Sequence, residues 1–258
     1  MNQPLASIHP DAKIHPSVEI GPFCTIAGDV EIGEGTRILS NVTIMDGARI
    51  GKNVTIYPGA VISGAPQDLK FRGEKTVAII GDNTSIRECV TIHRGTASKG
   101  KTVVGSNCLI MAYCHVAHDC VVGNNVIMSN AVQIAGEVVI DDFAVIGGGG
   151  LIHQFCHIGS HVMLQGGALV NKDIPPYVKA AREPIAYAGV NSIGLRRRGY
   201  SNETIRDIQE IYRYLYLSGL NNSDAISRIE AELPASKERD EIILFVRNSG
   251  RGIIRGYV

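Results

Sequence analysis

Tryptophan is absent from this 258-residue chain, and nine tyrosines and five phenylalanines supply all its aromatic bulk. An interior packed around large rings is thereby excluded, although 45% apolar residues suffice for an ordinary soluble core. No apolar run approaches the ~18 residues that a membrane-crossing helix needs. The opening MNQPLASIHPDAK lacks the basic and apolar segments of a signal peptide, so a cytoplasmic location is expected. Net charge is missing as well: 25 basic and 25 acidic side chains cancel, leaving no chain-wide field for nucleic acid or an anionic membrane. Six cysteines without a secretory context point to reduced thiols and not to a disulfide framework. Glycine, by contrast, is plentiful at 29 residues, a sign of repetitive backbone around a narrow interior.

The repeat has a period of six. Isoleucine stands at positions 8, 14, 20, 26, 32, 38, 44, 50, 56 and 62, and the same phase returns from Ile80 to Val170 with Ile, Val, Leu or Met at most steps. Four places after each large aliphatic comes a small residue such as Ala12, Val18, Cys24, Val30 or Thr36. Six matches neither helical nor long-strand periodicity, but it suits very short strands joined by turns. Gly, Asn and Asp crowd the intervening positions, as in IGEGTR and VGNNVI, where left-handed backbone is needed. Such hexads resemble those of the left-handed parallel β-helix acyltransferases, in which three hexads form one triangular coil. The resemblance implies a mainly β chain, with that left-handed parallel β-helix over residues 1–189 and a C-terminal α-helical appendix over 190–258. Two stretches break the phase, SGAPQDLKFRGEKTVA near 63–78 and HRGTASKGKTV near 93–103, and both are expected to project as loops. After Pro175, Pro176 and Pro184 the spacing of Ile205, Ile208, Ile211, Tyr212 and Leu215 predicts a helix capped by Ser201 and closed by Gly219. Two more helices are expected, from about Asp224 to Leu233 and around Glu238 to Arg247.

The stretch YCHVAHDC, 113–120, has the composition of a zinc site. The hexad phase argues otherwise. Cys24, Cys108, Cys114, Cys120 and Cys156 all fall on the small inward position, whereas none of the eight histidines falls on an inward one. Cysteines are therefore expected inside and histidines outside, with no intrachain metal cage. Stacking at three hexads per coil puts Gly136 one coil from His118, Gln154 two coils away, and Glu137 beside Asp119. A base candidate, a carboxylate and a bare backbone amide on one edge suit general-base acyl transfer with an oxyanion donor.

IHRGT (92–96), HVAHDC (115–120), DDFAVIGG (141–148), HQFCHIG (153–159), DIPPYV (173–178) and LRRRGYS (195–201) together resemble the UDP-N-acetylglucosamine acyltransferase family of lipid A biosynthesis. The resemblance implies transfer of a (3R)-hydroxyacyl chain from acyl carrier protein to the glucosamine 3-hydroxyl of UDP-N-acetylglucosamine. It implies a homotrimer with sites between neighbouring chains, and no metal or dissociable cofactor, since the donor rides on the carrier's phosphopantetheine. Position by position, it makes His118 the general base, Asp119 its orienting partner and Gly136 the oxyanion donor. Gln67, Asp68 and Lys70 would meet the sugar, and His115, His153 and Gln154 would line the same cleft. Asn191, Arg197 and Arg198 would face the nucleotide, where guanidinium forks suit a diphosphate. Met163 and Gly166 would gauge the acyl chain; a glycine leaves depth there, so a long chain of about fourteen carbons or more is expected, instead of about ten.

The chain departs from the family pattern at Glu137, where familiar members carry histidine, and at Ile193, where some carry glutamate. Three other readings stay open on sequence: N-acylation of a UDP-2,3-diamino sugar, a trimeric histidine-zinc enzyme of the carbonic-anhydrase type, and a scaffold without chemistry. Lys172, Lys179, Arg206 and Arg213 are either contacts for an acidic carrier protein or solvated surface.

Overall fold

The computed structural model describes residues 4–256. Strands of mostly two residues stack into three parallel sheets that form the sides of a prism. The first face runs from Ser7–Ile8 to Leu169–Val170 in nine strands, and the second from Lys13–Ile14 to His157–Ile158 in eight. The third begins at Glu19–Ile20 and reaches eleven strands with its C-terminal additions. Consecutive hexads therefore visit the three faces in turn. Most vertical partners are three hexads apart, as in His115 with Gln133 and Ile134 with Ile152.

The two interruptions are loops, and their lengths explain why the phase survives them. Ile50 pairs with Ile80 and Ile80 with Val104, so the coils carrying the loops exceed the usual three hexads by two hexads and by one. Every later residue then returns to its own face.

Most turns place the third residue after the large aliphatic in the left-handed region. Asn41, Asn53, Asn83, Asn107 and Asn125 occupy it at φ of 53–59°, and Asp119 does so at 60°. Asparagine and aspartate tolerate this region through local hydrogen bonding, whereas most side chains lose about 1–2 kcal/mol there.

The inward column of Ile, Val, Leu and Met is buried from Ile26 onward, and each such side chain contributes about 1.5–3 kcal/mol by leaving water. Ile8, Ile14 and Ile20 are only half-buried, because the first coil has no coil beneath it. The five phase-matched cysteines are inside as expected. They do more than fill space: the thiols of Cys24, Cys108, Cys114 and Cys120 donate to the carbonyls of Leu39, Gly123, Ser129 and Ala135 at 2.9–3.1 Å. The Thr36 hydroxyl makes the same bond to Gly51.

The histidine expectation needs correction. His93 and His161 are buried, since the loop after His93 and the C-terminal elements cover them.

The C-terminal part carries the expected helices, and short strands accompany them. An antiparallel hairpin, Val178–Ala181 with Ala186–Val190, extends the third face, and Arg255–Gly256 pairs parallel to its second strand. Between them lie α1 (Ser192–Arg197), α2 (Asn202–Leu217), α3 (Asn222–Glu232) and α4 (Lys237–Asn248). The three long helices match expectation, and Ser201 caps α2 by accepting from the Thr204 amide. The short α1 was not foreseen. Its six residues carry too few apolar positions for a helical period to show.

Candidate active site

The corner where the first face turns into the second gathers most of the chemistry. Both loops leave the prism there, and His118, Gly136 and Gln154 occupy the same turn position in successive coils. A Cβ on Gly136 would stand 2.7 Å from Cε1 and 2.8 Å from Nε2 of His118, so only glycine lets the imidazole lie against that turn. The amides flanking Gly136 are occupied, Ala135 donating to Ile152 and Glu137 to His118. Among the described residues none accepts from the Gly136 N–H, which leaves a bare donor beside the ring.

Asp119 does not face the cleft with His118, as its turn position had suggested. It is wholly buried beneath the second loop. Its Oδ2 accepts from Thr96 Oγ1 at 2.6 Å and pairs with His118 Nδ1 at 2.9 Å, while Oδ1 accepts from the amides of Thr96 and Lys99 at 3.0 and 3.2 Å. Its own amide donates to Thr102 Oγ1 at 2.8 Å. Burial opposes the charge, but the bonds from Thr96 and His118 and the two amides outweigh it and hold the carboxyl below its usual range. An ionised carboxylate can only accept, so His118 Nδ1 donates to it, and in the neutral ring the lone pair stands on Nε2. The His118 side chain is 18% exposed, enough to meet a ligand.

His115 lies on the first face, its Nδ1 2.7 Å from the Thr91 hydroxyl. Burial and the nearby His118 lower its proton affinity. His93 packs edge-on against His115 at 4.8 Å, and burial, with help from the charges of His115, His118 and Arg94, pushes it down to about 4. From His115 a groove of about 410 Å³ runs along the first face past Gln133, Leu151, His153 and Leu169 to Asn171. Leu169 and Asn171 also line a second cavity of about 840 Å³, walled by Pro184, Ile185 and Ile254. The two cavities meet at Leu169 and Asn171; the groove is largely apolar, whereas the second cavity also carries Lys172, Arg182, Glu183 and Arg255.

Gln67, Asp68 and Lys70 sit on the first loop at this same corner, where Asp68 Oδ1 accepts from the Lys70 amide. The remaining expected residues are elsewhere. Arg198 lies at the second corner, donating to the Phe143 carbonyl at 3.0 Å, and Arg197 is exposed at the end of α1. Asn191 is buried and committed to capping α1 through Gly194 N and to the His161 carbonyl. Met163 lies outward on the third face, and Gly166 turns the third corner toward the first. Glu137 reaches back to the second loop, accepting from Ser98 Oγ at 3.2 Å and lying 3.7 Å from Lys99 Nζ. Sequence reasoning missed Thr96, Thr102, Gln133 and Leu169. Thr96 stood in the quoted IHRGT, and Gln133 lies one coil from His115, so both carried a signal. Among the described residues no three His, Cys, Asp or Glu side chains of one chain converge as metal ligands. Burial pushes the thiols of Cys114 and Cys120 up to about 11 and about 12.

The family model described as UDP N-acetylglucosamine O-acyltransferase, Domain 2, matches residues 173–254, and the bacterial transferase hexapeptide model matches 101–136. The model of the GMPPB C-terminal domain matches 2–106. An enzyme of Janthinobacterium sp. (strain Marseille) named acyl-[acyl-carrier-protein]–UDP-N-acetylglucosamine O-acyltransferase is 45% identical over 98% of each chain. The chain belongs to the UDP-N-acetylglucosamine O-acyltransferase family. A crystal structure of the UDP-N-acetylglucosamine acyltransferase from Bacteroides fragilis superposes with a TM-score of 0.97 at 57% identity, covering 99% of this chain and 100% of that one. The Acinetobacter baumannii enzyme of the family superposes at 0.95 and 42% identity, covering 97% and 98%.

Proposed function

We propose that the chain transfers a (3R)-hydroxyacyl group from acyl carrier protein to the 3-hydroxyl of UDP-N-acetylglucosamine, the first step of lipid A biosynthesis. The observation that carries this reading is the His118–Gly136 pair: an imidazole nitrogen and an unclaimed amide side by side, with His115 and Ala135 of the same coils lining an apolar groove. His118 Nε2 takes the proton of the sugar hydroxyl as its oxygen attacks the thioester carbonyl. The Gly136 N–H meets the oxygen of the tetrahedral intermediate. Collapse breaks the C–S bond, and the imidazolium returns its proton to the departing carrier thiolate. Asp119 holds the tautomer and offsets the charge that forms on the ring.

The acyl chain lies along the groove of the first face, and the absence of a side chain at Gly166, beside Met163, leaves depth for about fourteen carbons or more. His115, His153 and Gln154 line its entrance. Gln67, Asp68 and Lys70 contact the glucosamine, and Arg197 with Arg198 contacts the diphosphate, Asn191 acting by holding α1.

The three corners of one prism point apart. Base, arginines and the Met163–Gly166 ruler therefore meet only when chains assemble as a homotrimer, each site drawing corners from two neighbours. The reading calls for no metal or dissociable cofactor, and six free thiols support a reducing, cytoplasmic address.

An acyl transfer assay comparing wild type with His118→Ala tests it. Turnover should fall by about 10²–10⁴-fold with the fold retained, and near-normal activity would remove His118 from the mechanism. Stoichiometric zinc in the purified protein, or preference for an amino over a hydroxyl acceptor in competition, would favour the rival readings.

A further inference from the structure

We propose that Thr96 is a positioning residue for the transfer: its hydroxyl shares Asp119 Oδ2 with His118 Nδ1, and so sets how strongly the carboxylate holds the proton of the catalytic ring. The proposal rests on His118 being the base. Thr96 Oγ1 donates to Oδ2 at 2.6 Å, and His118 Nδ1 reaches the same oxygen at 2.9 Å. The direction of the hydroxyl is settled by its other neighbour, because the Ser98 amide donates to Thr96 Oγ1 at 3.1 Å and leaves the O–H free to point at Asp119. Thr96 is itself fixed: it is buried, and its carbonyl accepts from the Gly100 amide. Asp119 cannot turn to escape the competition, since Oδ1 is claimed by two backbone amides and its own N–H by Thr102. The same loop grips Glu137, the residue after Gly136, through Ser98 and Lys99. It therefore braces both sides of the reacting pair.

An oxygen that accepts from two donors offers less to each. With the hydroxyl removed, Oδ2 is left to His118 alone, the imidazolium is better stabilised, and the ring loses its proton at higher pH. The free base is the active form, so the acidic limb of kcat/KM moves upward. The other groups facing this pair are His93 and His115 on adjacent strands, Arg94 and Lys99 in the loop, Glu137 in the next coil, and the neutral Cys120 thiol below. None of these side chains bonds to the Thr96 side chain, so its substitution leaves their contacts in place.

The test is the pH profile of kcat/KM for the full-length protein with acyl carrier thioester and UDP-N-acetylglucosamine, together with an NMR titration of the His118 ring. Thr96→Val and Thr96→Ala should raise both midpoints by about half to one pH unit, and Thr96→Ser should restore them. Thr96→Ala covers the case in which valine's second methyl is not accommodated. Unmoved midpoints in a folded variant would overturn the proposal, as would a serine variant displaced as far as valine. If valine and alanine variants both fail to fold, the hydroxyl is a structural support and the proposal is likewise overturned. Full activity of His118→Ala is a separate outcome, which sinks the base assignment itself.

Discussion

At the scale of single residues, one position within the hexad decides what a side chain becomes. Cysteines on the small inward place are neutral packing groups that also satisfy a turn carbonyl, and burial drives their thiols far from the reactive range. Histidines divide by what covers them. His118 sits against Gly136 and stays open to a ligand, while His93 and His161 are enclosed, and burial first, then neighbouring charges, pushes both down to about 4. That sets a pH dependence of stability. The unfolded histidine, near 6.5, binds protons that the folded one refuses, so the contribution is present above about pH 6.5 and is lost as pH falls from there toward 4. Each should cost about 2 kcal/mol by pH 5, measurable as a drop in urea-unfolding free energy that flattens in His93→Gln or His161→Gln. An unchanged slope would show these rings to be more open than their packing indicates.

At the scale of elements, the faces of the prism differ along their length. On the second face Lys13, Glu31 and Arg49 give way outward to Ile79, Val103, Val121 and Val139; on the third, Glu19 and Arg37 give way to Leu109, Ile127 and Val145. The lower coils carry exposed ion pairs such as Lys13–Glu31 and Arg37–Glu19, worth little in stability but compatible with water. Outward aliphatics in vertical rows are a surface that water does not favour, and the proposed homotrimer would cover them with a second copy of the chain. Val121→Lys should accordingly give chains of 27.7 kDa by light scattering, and a persisting oligomer would exclude this row from the contact. The long helices were legible because Ile205, Ile208, Ile211, Tyr212 and Leu215 repeat at helical spacing along α2. The α1 turn and the hairpin were not, since six residues show no period and a hairpin after prolines looks like a simple exit from the repeat.

At the scale of the molecule, the candidate site is a problem of corners. One chain offers His118, the proposed base, at its first corner, Arg198 at its second and Gly166 at its third, and no bending of a stacked prism brings them together. Mixing two inactive chains, His118→Ala with a chain carrying Arg197→Ala and Arg198→Ala, should restore activity. A mixed ring of three has one junction where an intact base meets intact arginines, so random assembly should recover about one quarter of wild-type turnover. No recovery in co-purified mixed trimers would mean that base and arginines act within one chain.

The hexad phase was decided by sequence alone, because the direction a side chain leaves the coil follows from its place in a six-residue step, although what then covers it, as over His93 and His161, does not. Five buried cysteines, two projecting loops and the stacking of His118 on Gly136 were all legible in that way. The hydrogen-bond network that seals Asp119 was not, because Thr96 and Thr102 reach it through the path of a loop, and a loop that has left the repeat no longer obeys its spacing. The second cavity likewise exists only once Leu169 and the hairpin meet in space, since a cavity is defined by distances between coils and not by any residue's position along the chain.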